Sequence, residues 1–228
     1  MTVDGAVDVL TRSVEDYLKA VYRLSSDQRA ASTTEIAQRL ALSPASVSAM
    51  IKRLSEQGLV DHERYRGVRL TDDGRRAALR IIRRHRLVET YLVEFLGYDW
   101  DNVHAEAEQL EHAMSDQLVE RMAAALGHPS CDPHGDPIPA ADGSIPDLEG
   151  VPLTVMAAGD SCILSRVSVS DPERLRYLGS LGLRPGLRFG VVDVAPFDGP
   201  VTIETSFGQR VIGHALASGL LCTREDAS

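Results

Sequence analysis

His104, Glu108, Glu111 and His112 stand four, three and one residue apart in the run HAEAEQLEH, residues 104–112. On an α-helix, residues three and four apart share a face. Helical spacing therefore sets two imidazoles beside two carboxylates. Like carboxylates repel and desolvated charge is costly, so such a face calls for a cation among its members. His85 and Glu89 repeat the four-residue spacing upstream, in RRHRLVE. A lone pair of this kind is ordinarily a surface contact worth about 0.2–0.5 kcal/mol. Here three of the seven histidines and three glutamates fall at helical spacing in two neighbouring segments, which favours nitrogen and oxygen ligation of a divalent metal. Enzyme signatures do not accompany them. Ala105 follows His104, which breaks HExxH, and Gln109 rather than Glu stands three before His112, which breaks the di-iron pattern. A metal-dependent enzyme is the rival reading from another class.

The elements that must position these residues are legible around them. Arg75 to Gly97 reads as one long helix, Trp100-Asp101-Asn102 as a turn, and Val103 to about Leu126 as a second helix capped by Asn102 or Asp101. Leu110, Met114, Leu118 and Met122 recur every four residues along it, an apolar stripe for a neighbouring helix or a second subunit. Residues 127–152 hold six of the eleven prolines and read as an extended connection, with Cys131 and His134 more readily part of it than a zinc pair. Beyond it, short strands at 161–167, 187–194, 201–205 and 209–212, with a helix near 172–181, form a small β-domain.

Upstream, Ser13 caps a first helix, and Ser32 with Glu35 forms a capping box for TEIAQRL. Ser43 caps a third helix with Pro44 at its first position and Gly58 at its stop. Strand-like 59–63 and 68–70 follow, joined by a Tyr65-Arg66-Gly67 turn. This is a winged helix-turn-helix. Ser43, Ala45, Ser46, Ser48 and Ala49, with Pro44, would face a major groove, where small side chains read by hydroxyls, methyl contacts and water. Lys52 and Arg53 would meet phosphates, and Arg64, Arg66 and Arg69 in or beside the wing could reach phosphates or a minor groove. A protein-binding winged helix is the alternative.

Charge follows the same division. Residues 1–90 hold 16 Lys+Arg against 12 Asp+Glu, residues 91–149 hold 1 against 13, and the remainder 7 against 8, so the net −9 conceals a basic head and an acidic middle. Three scattered cysteines without a CxxC pair give no disulfide framework, and no apolar run reaches the roughly 20 residues of a membrane span. With no signal-peptide pattern, the reading is a cytoplasmic protein.

The helix-turn-helix, RRHRLVE, HAEAEQLEHAMSD and DPHGDPIP together resemble the diphtheria-toxin-repressor family of metal-dependent transcriptional regulators. The resemblance spans nearly the whole chain, specific over 85–139 and looser after 150. It implies a mostly α fold with β: a winged-helix domain (1–75), a helical metal-binding and dimerisation domain (76–140), a linker (141–150) and an SH3-like barrel (151–228). It implies a homodimer that binds palindromic operator DNA and represses metal-homeostasis genes, with no membrane partner and no small-molecule substrate. Iron-sensing members carry Met and Cys where this chain has Asp16 and Glu108, so the resemblance points to the manganese branch, with Mn2+ as the cofactor and Fe2+ the alternative. It implies a principal site of Asp16, Glu108, Glu111 and His112, and a second of His85, Glu89 and His104 joined by Asp171 of the last domain. Compact manganese regulators carry a further carboxylate where this chain has Lys19, which argues against a two-metal cluster of their kind.

Overall fold

The computed structural model describes residues 10–25, 29–63, 66–146 and 150–225. The chain divides into two compact units, Met1–Arg83 with Pro139–Gly143, and Arg84–Ile138 with Ser144–Ser228.

In the first unit, Thr11 rather than Ser13 opens helix α1 (Arg12–Leu24), its hydroxyl accepting from the Val14 amide. A threonine two residues earlier serves the same exposed amides, which leaves Ser13 inside the first turn. Helix α2 (Thr33–Leu40) begins with the expected capping box of Ser32 and Glu35. Helix α3 (Pro44–Glu56) begins with Ser43 as cap and Pro44 in its first turn. Between α2 and α3, Ala41 takes a left-handed conformation at φ 54° and turns the chain. Strands β1 (Val60–Glu63) and β2 (Gly67–Leu70) pair antiparallel as a wing. Leu59 is not part of β1, because its amide closes α3 on the Leu54 carbonyl. Ala31 adds a bridge to Val68, and Gly67 (φ +96°) runs so close to it that a Cβ would lie 2.8 Å from the Ala31 carbonyl. Leu18, Val21, Ile36, Val47, Ile51, Leu54, Val60 and Val68 form the core of this unit. Arg64 and Tyr65 of the expected wing tip lie outside the described residues.

Helix α4 (Asp72–Leu96) runs from the first unit into the second. There the single helix expected from Val103 to Leu126 is two. Helix α5 (Val103–Leu110) ends, and α6 (Asp116–Ala125) starts afresh where Ser115 accepts from the Leu118 amide. A serine cap followed by an aspartate in the first turn is a stronger helix start than the hydrophobic repeat is a reason to continue. Asn102 occupies the cap position of α5 without a side-chain hydrogen bond, and Asp101 instead accepts from Arg176 Nε at 3.0 Å. Val88, Leu92, Val103, Ala107 and Met122 pack together, while Leu110 and Leu118 of the stripe are exposed.

The last part of the second unit is a six-stranded antiparallel sheet in the order β3-β8-β4-β5-β6-β7. Its strands are β3 (Val151–Pro152), β4 (Ser161–Val167), β5 (Arg188–Val194), β6 (Val201–Thr205), β7 (Gly208–Ile212) and β8 (Leu220–Arg224). Helix α7 (Pro172–Ser180) and the short α8 (His214–Ala217) lie between strands in the chain. This is the SH3-like domain. Its core includes Leu153, Leu164, Leu175, Leu178, Leu183 and Ile203, together with Trp100 from the turn before α5. The Pro-rich segment is held to it: Val167 N donates to the His134 carbonyl at 2.8 Å, and a Cβ on Gly135 would sit 2.1 Å from the Ser165 carbonyl.

Candidate metal centre

Helix α4 places His85 and Glu89 one turn apart, and both are buried. His85 Nε2 stands 3.1 Å from Glu89 Oε1. His104 of α5 brings its Nδ1 to 2.9 Å from that same oxygen and 2.9 Å from His85 Nε2. The three residues expected to form the second site are thus gathered into a triangle with edges near 3 Å. Neighbouring ligands on an octahedral ion with bonds of about 2.1 Å stand about 3 Å apart, so the set fits one face of such an ion. Shared protons on the imidazoles satisfy the same contacts.

Glu108, Glu111 and His112 also lie together, each offering a ligand atom within 4.8 Å of the others. Glu111 follows the last residue of α5 but keeps helical torsions (φ −54°, ψ −33°), so the face read from the sequence survives the break in the helix. Its side chain is 0% exposed, with Oε1 3.2 Å from His112 Nε2 and Oε2 2.5 Å from His85 Nδ1. A fully buried carboxylate held between two imidazoles is a site for positive charge, either protons or a metal. Asp16, assigned by the resemblance to this set, is half-buried on α1 in the first unit.

A third grouping, Glu89 with Asp132 and His134, escaped the sequence reading, and all three are buried. His134 Nε2 donates to the Trp100 carbonyl at 2.7 Å. Its Nδ1 then faces Glu89 Oε2 at 3.9 Å and Asp132 Oδ1 at 4.0 Å. A neutral imidazole bonded in this way turns a lone pair toward two carboxylates, an arrangement that a proton or a cation must complete. Asp132 is held rigidly, Oδ1 accepting from the His134 and Asp136 amides while Arg86 stands 3.7 Å from Oδ2. Burial, with the charges of Glu89 and Asp136 beside it, pushes the Asp132 carboxyl up to about 7. Glu89 behaves oppositely: burial works against its charge, but hydrogen bonds from His104 and His85 outweigh it and hold the group far below the usual carboxylate range. Asp132 and His134 stand in an irregular loop, so no period marked them. The only signal was chemical, a carboxylate two residues before an imidazole within DPHGDPIP.

Asp171 is placed differently. It caps α7, accepting from the Arg174 amide at 2.9 Å, and joins none of the three groups.

On α3, Ser43, Pro44, Ala45, Ser46, Ser48, Ala49, Lys52 and Arg53 are exposed, while Val47, Ile51 and Leu54 point inward. Arg66 is exposed beside the wing. The hydroxyls already have local partners: Ser43 Oγ accepts from the Ser46 amide and meets Ser46 Oγ at 2.9 Å, and Ser48 Oγ donates to the Pro44 carbonyl. Arg83 donates to the Pro139 carbonyl and Arg84 to Asp116 Oδ1.

A chain with an exposed recognition helix and wing, followed by helices that gather imidazoles and carboxylates, defines a metal-dependent DNA-binding regulator. Family models agree. "Iron dependent repressor, N-terminal DNA binding domain" matches residues 9–68, "Iron dependent repressor, metal binding and dimerisation domain" matches 71–140, and "FeoA domain" matches 151–224. The iron-dependent repressor IdeR of Mycobacterium tuberculosis is 30% identical over 220 residues, 91% of this chain and 95% of that one. The diphtheria toxin repressor of Corynebacterium efficiens is 32% identical over 194 residues, 81% of this chain and 84% of that one. Among solved structures, a manganese-dependent transcriptional repressor in complex with manganese is 43% identical, covers 93% of this chain and 100% of its own, and superposes with a TM-score of 0.84. ScaR with bound Zn2+ is 32% identical at a TM-score of 0.78, covering 93% of this chain and 99% of its own. The chain belongs to the diphtheria-toxin-repressor family of metal-dependent transcriptional repressors.

Proposed function

We propose that this protein is a manganese-activated repressor that binds a palindromic operator as a homodimer and controls genes of manganese uptake. The observation that carries the reading is the chemistry of the ligand set. Glu108, Glu111 and His112 offer only oxygen and nitrogen, and Asp16 on α1 offers oxygen where iron-sensing relatives offer sulfur. Hard carboxylate sets suit Mn2+, while thiolate and thioether favour softer metals. The 43% identical relative described in complex with manganese supports the same choice. In this reading Mn2+ joins Asp16 to Glu108, Glu111 and His112 and so fixes the DNA-binding domain relative to the dimerisation helices. An ancillary site is built on Glu89, whose Oε1 meets His85 and His104, whose Oε2 faces His134, and which groups with Asp132 and His134. Asp171 is left out of it, being engaged as a helix cap. A regulator of this kind works in the cytoplasm, where its operator is. When bound, the metal supplies a cross-link and charge neutralisation, not catalysis.

The test is affinity for operator DNA selected from a random-sequence library, measured at fixed salt with Mn2+, Fe2+, Zn2+ or chelator. Mn2+ should tighten binding most. Equal affinity with Mn2+ and with chelator would overturn the proposal, and strongest activation by Fe2+ would assign the chain to iron. Metal and operator must favour each other by the same factor, so operator DNA should also tighten Mn2+ binding.

A further inference from the structure

We infer that Trp100 is a positioning residue that couples the seating of the SH3-like domain to metal binding by Glu89, Asp132 and His134. The inference rests on the ancillary site proposed above. Trp100 meets His134 twice. Its carbonyl accepts the Nε2 hydrogen at 2.7 Å, and its ring stacks on the imidazole with centroids 5.4 Å apart and planes 26° apart. A carbonyl can only accept, so this bond places the hydrogen on Nε2 and leaves Nδ1 for the side where Glu89 and Asp132 stand. Fixing one imidazole nitrogen with an outer partner is how proteins orient a metal-binding histidine.

The same indole is built into the other domain. Trp100 is 2% exposed and belongs to the core of the SH3-like domain with Leu175, Leu178 and Leu183. On α7, Gly179 makes room for it, since a Cβ there would lie 2.9 Å from the indole Nε1. The Arg184 guanidinium sits 4.9 Å from the ring centroid, and Arg176 clamps the neighbouring Asp101. One residue therefore registers both the seating of α7 and the angle of the His134 ring. Glu89, Asp132 and His134 would hold a cation only with the imidazole at a suitable angle, and the indole and the Trp100 carbonyl set that angle from the other edge of the ring. The domain's seating and the metal then stabilise each other, as reciprocity demands.

Trp100 is the only tryptophan in the chain, so its emission reports on this contact. The experiment titrates the full-length protein and two variants with Mn2+, following bound Mn2+ by the loss of the free-ion EPR signal and Trp100 by fluorescence. Asp132→Asn identifies the site. It should remove one class of bound Mn2+ together with the Mn2+-dependent change in Trp100 emission. Gly179→Ala pushes on the indole from α7, at a residue that is not itself a candidate ligand, and should weaken that same class roughly 10- to 100-fold while leaving the other class unchanged. Parent-like Mn2+ binding in a folded Gly179→Ala protein whose emission has shifted would overturn the role of Trp100. An unchanged Mn2+ count in Asp132→Asn would overturn the ancillary site itself. A second measurement needs no α7 variant. In the parent, Mn2+ should slow amide hydrogen exchange in α7, and in Asp132→Asn it should not. Exchange in α7 that is indifferent to Mn2+ in the parent would also overturn the coupling.

Discussion

His85 Nδ1 stands 2.5 Å from Glu111 Oε2, while its Nε2 stands 3.1 Å from Glu89 Oε1. A single buried imidazole therefore spans the two candidate sites. A histidine that binds metal through one nitrogen commonly donates the other N–H to a carboxylate, which raises its basicity and fixes its angle. Here that carboxylate is itself a candidate ligand of the principal site. His85→Gln should weaken Mn2+ at both sites, by roughly 10- to 100-fold at the ancillary one, as read by calorimetric titration. A loss confined to the ancillary site would show that Glu111 does not depend on the imidazole.

Asp16 tests whether the principal site draws on the first unit. Thr11 caps α1 through its own hydroxyl, so Asp16 is not needed for the helix start. Asp16→Ala should leave the thermal midpoint of the chelated protein near that of the parent and abolish Mn2+ activation of operator binding. A variant activated as the parent is would reduce Asp16 to a half-buried polar residue of α1 with no part in the metal response.

The contrast between these residues shows what the sequence could carry. His85, Glu89, His104, Glu108, Glu111 and His112 were legible because helical period converts spacing into proximity, and the structure gathers them in two neighbouring sets. The winged helix was legible because Ser32, Glu35, Ser43 and Pro44 are local signals whose partners lie within a few residues. The break between α5 and α6 was hidden, because a hydrophobic repeat crosses it and only the Ser115 cap marks it. Asp132, His134 and Trp100 were hidden for a different reason. Their meeting depends on how an irregular segment docks on β4, a tertiary event with no period of its own.

Asp132 predicts a pH dependence. Its folded value of about 7 lies above the ordinary 3.8, so the folded protein keeps a proton that the unfolded chain releases. The resulting contribution to stability is complete below 3.8 and is lost as pH rises through about 7. Glu89 adds no opposing slope above its ordinary value of 4.5, since its folded value is lower still and it is ionised in both states. With divalent ions chelated, denaturant unfolding of the parent between pH 5 and about 7.5 should show a falling component that Asp132→Asn lacks. Saturating Mn2+ should suppress the fall, because the cation replaces the proton. Identical pH profiles for parent and variant would mean that Asp132 is ionised throughout.

Lys52 and Ser46 separate affinity from sequence reading on α3. Lys52 is 80% exposed at its side chain and only loosely paired with Glu56 at 3.9 Å, so it is available to a phosphate. Lys52→Ala should weaken binding on all DNA sequences alike and lower the slope of log K against log salt by about 1. Ser46 stands exposed at the start of the helix with its hydroxyl bonded to Ser43. Ser46→Ala should keep the salt slope and change the preferred bases in operator selection, since small residues here read by hydroxyl and methyl contact. An unchanged slope in Lys52→Ala would place that ammonium in solvent rather than on the DNA backbone. An unchanged base preference in Ser46→Ala would shift the reading to the methyl groups of Ala45 and Ala49, which no internal hydrogen bond can restrain.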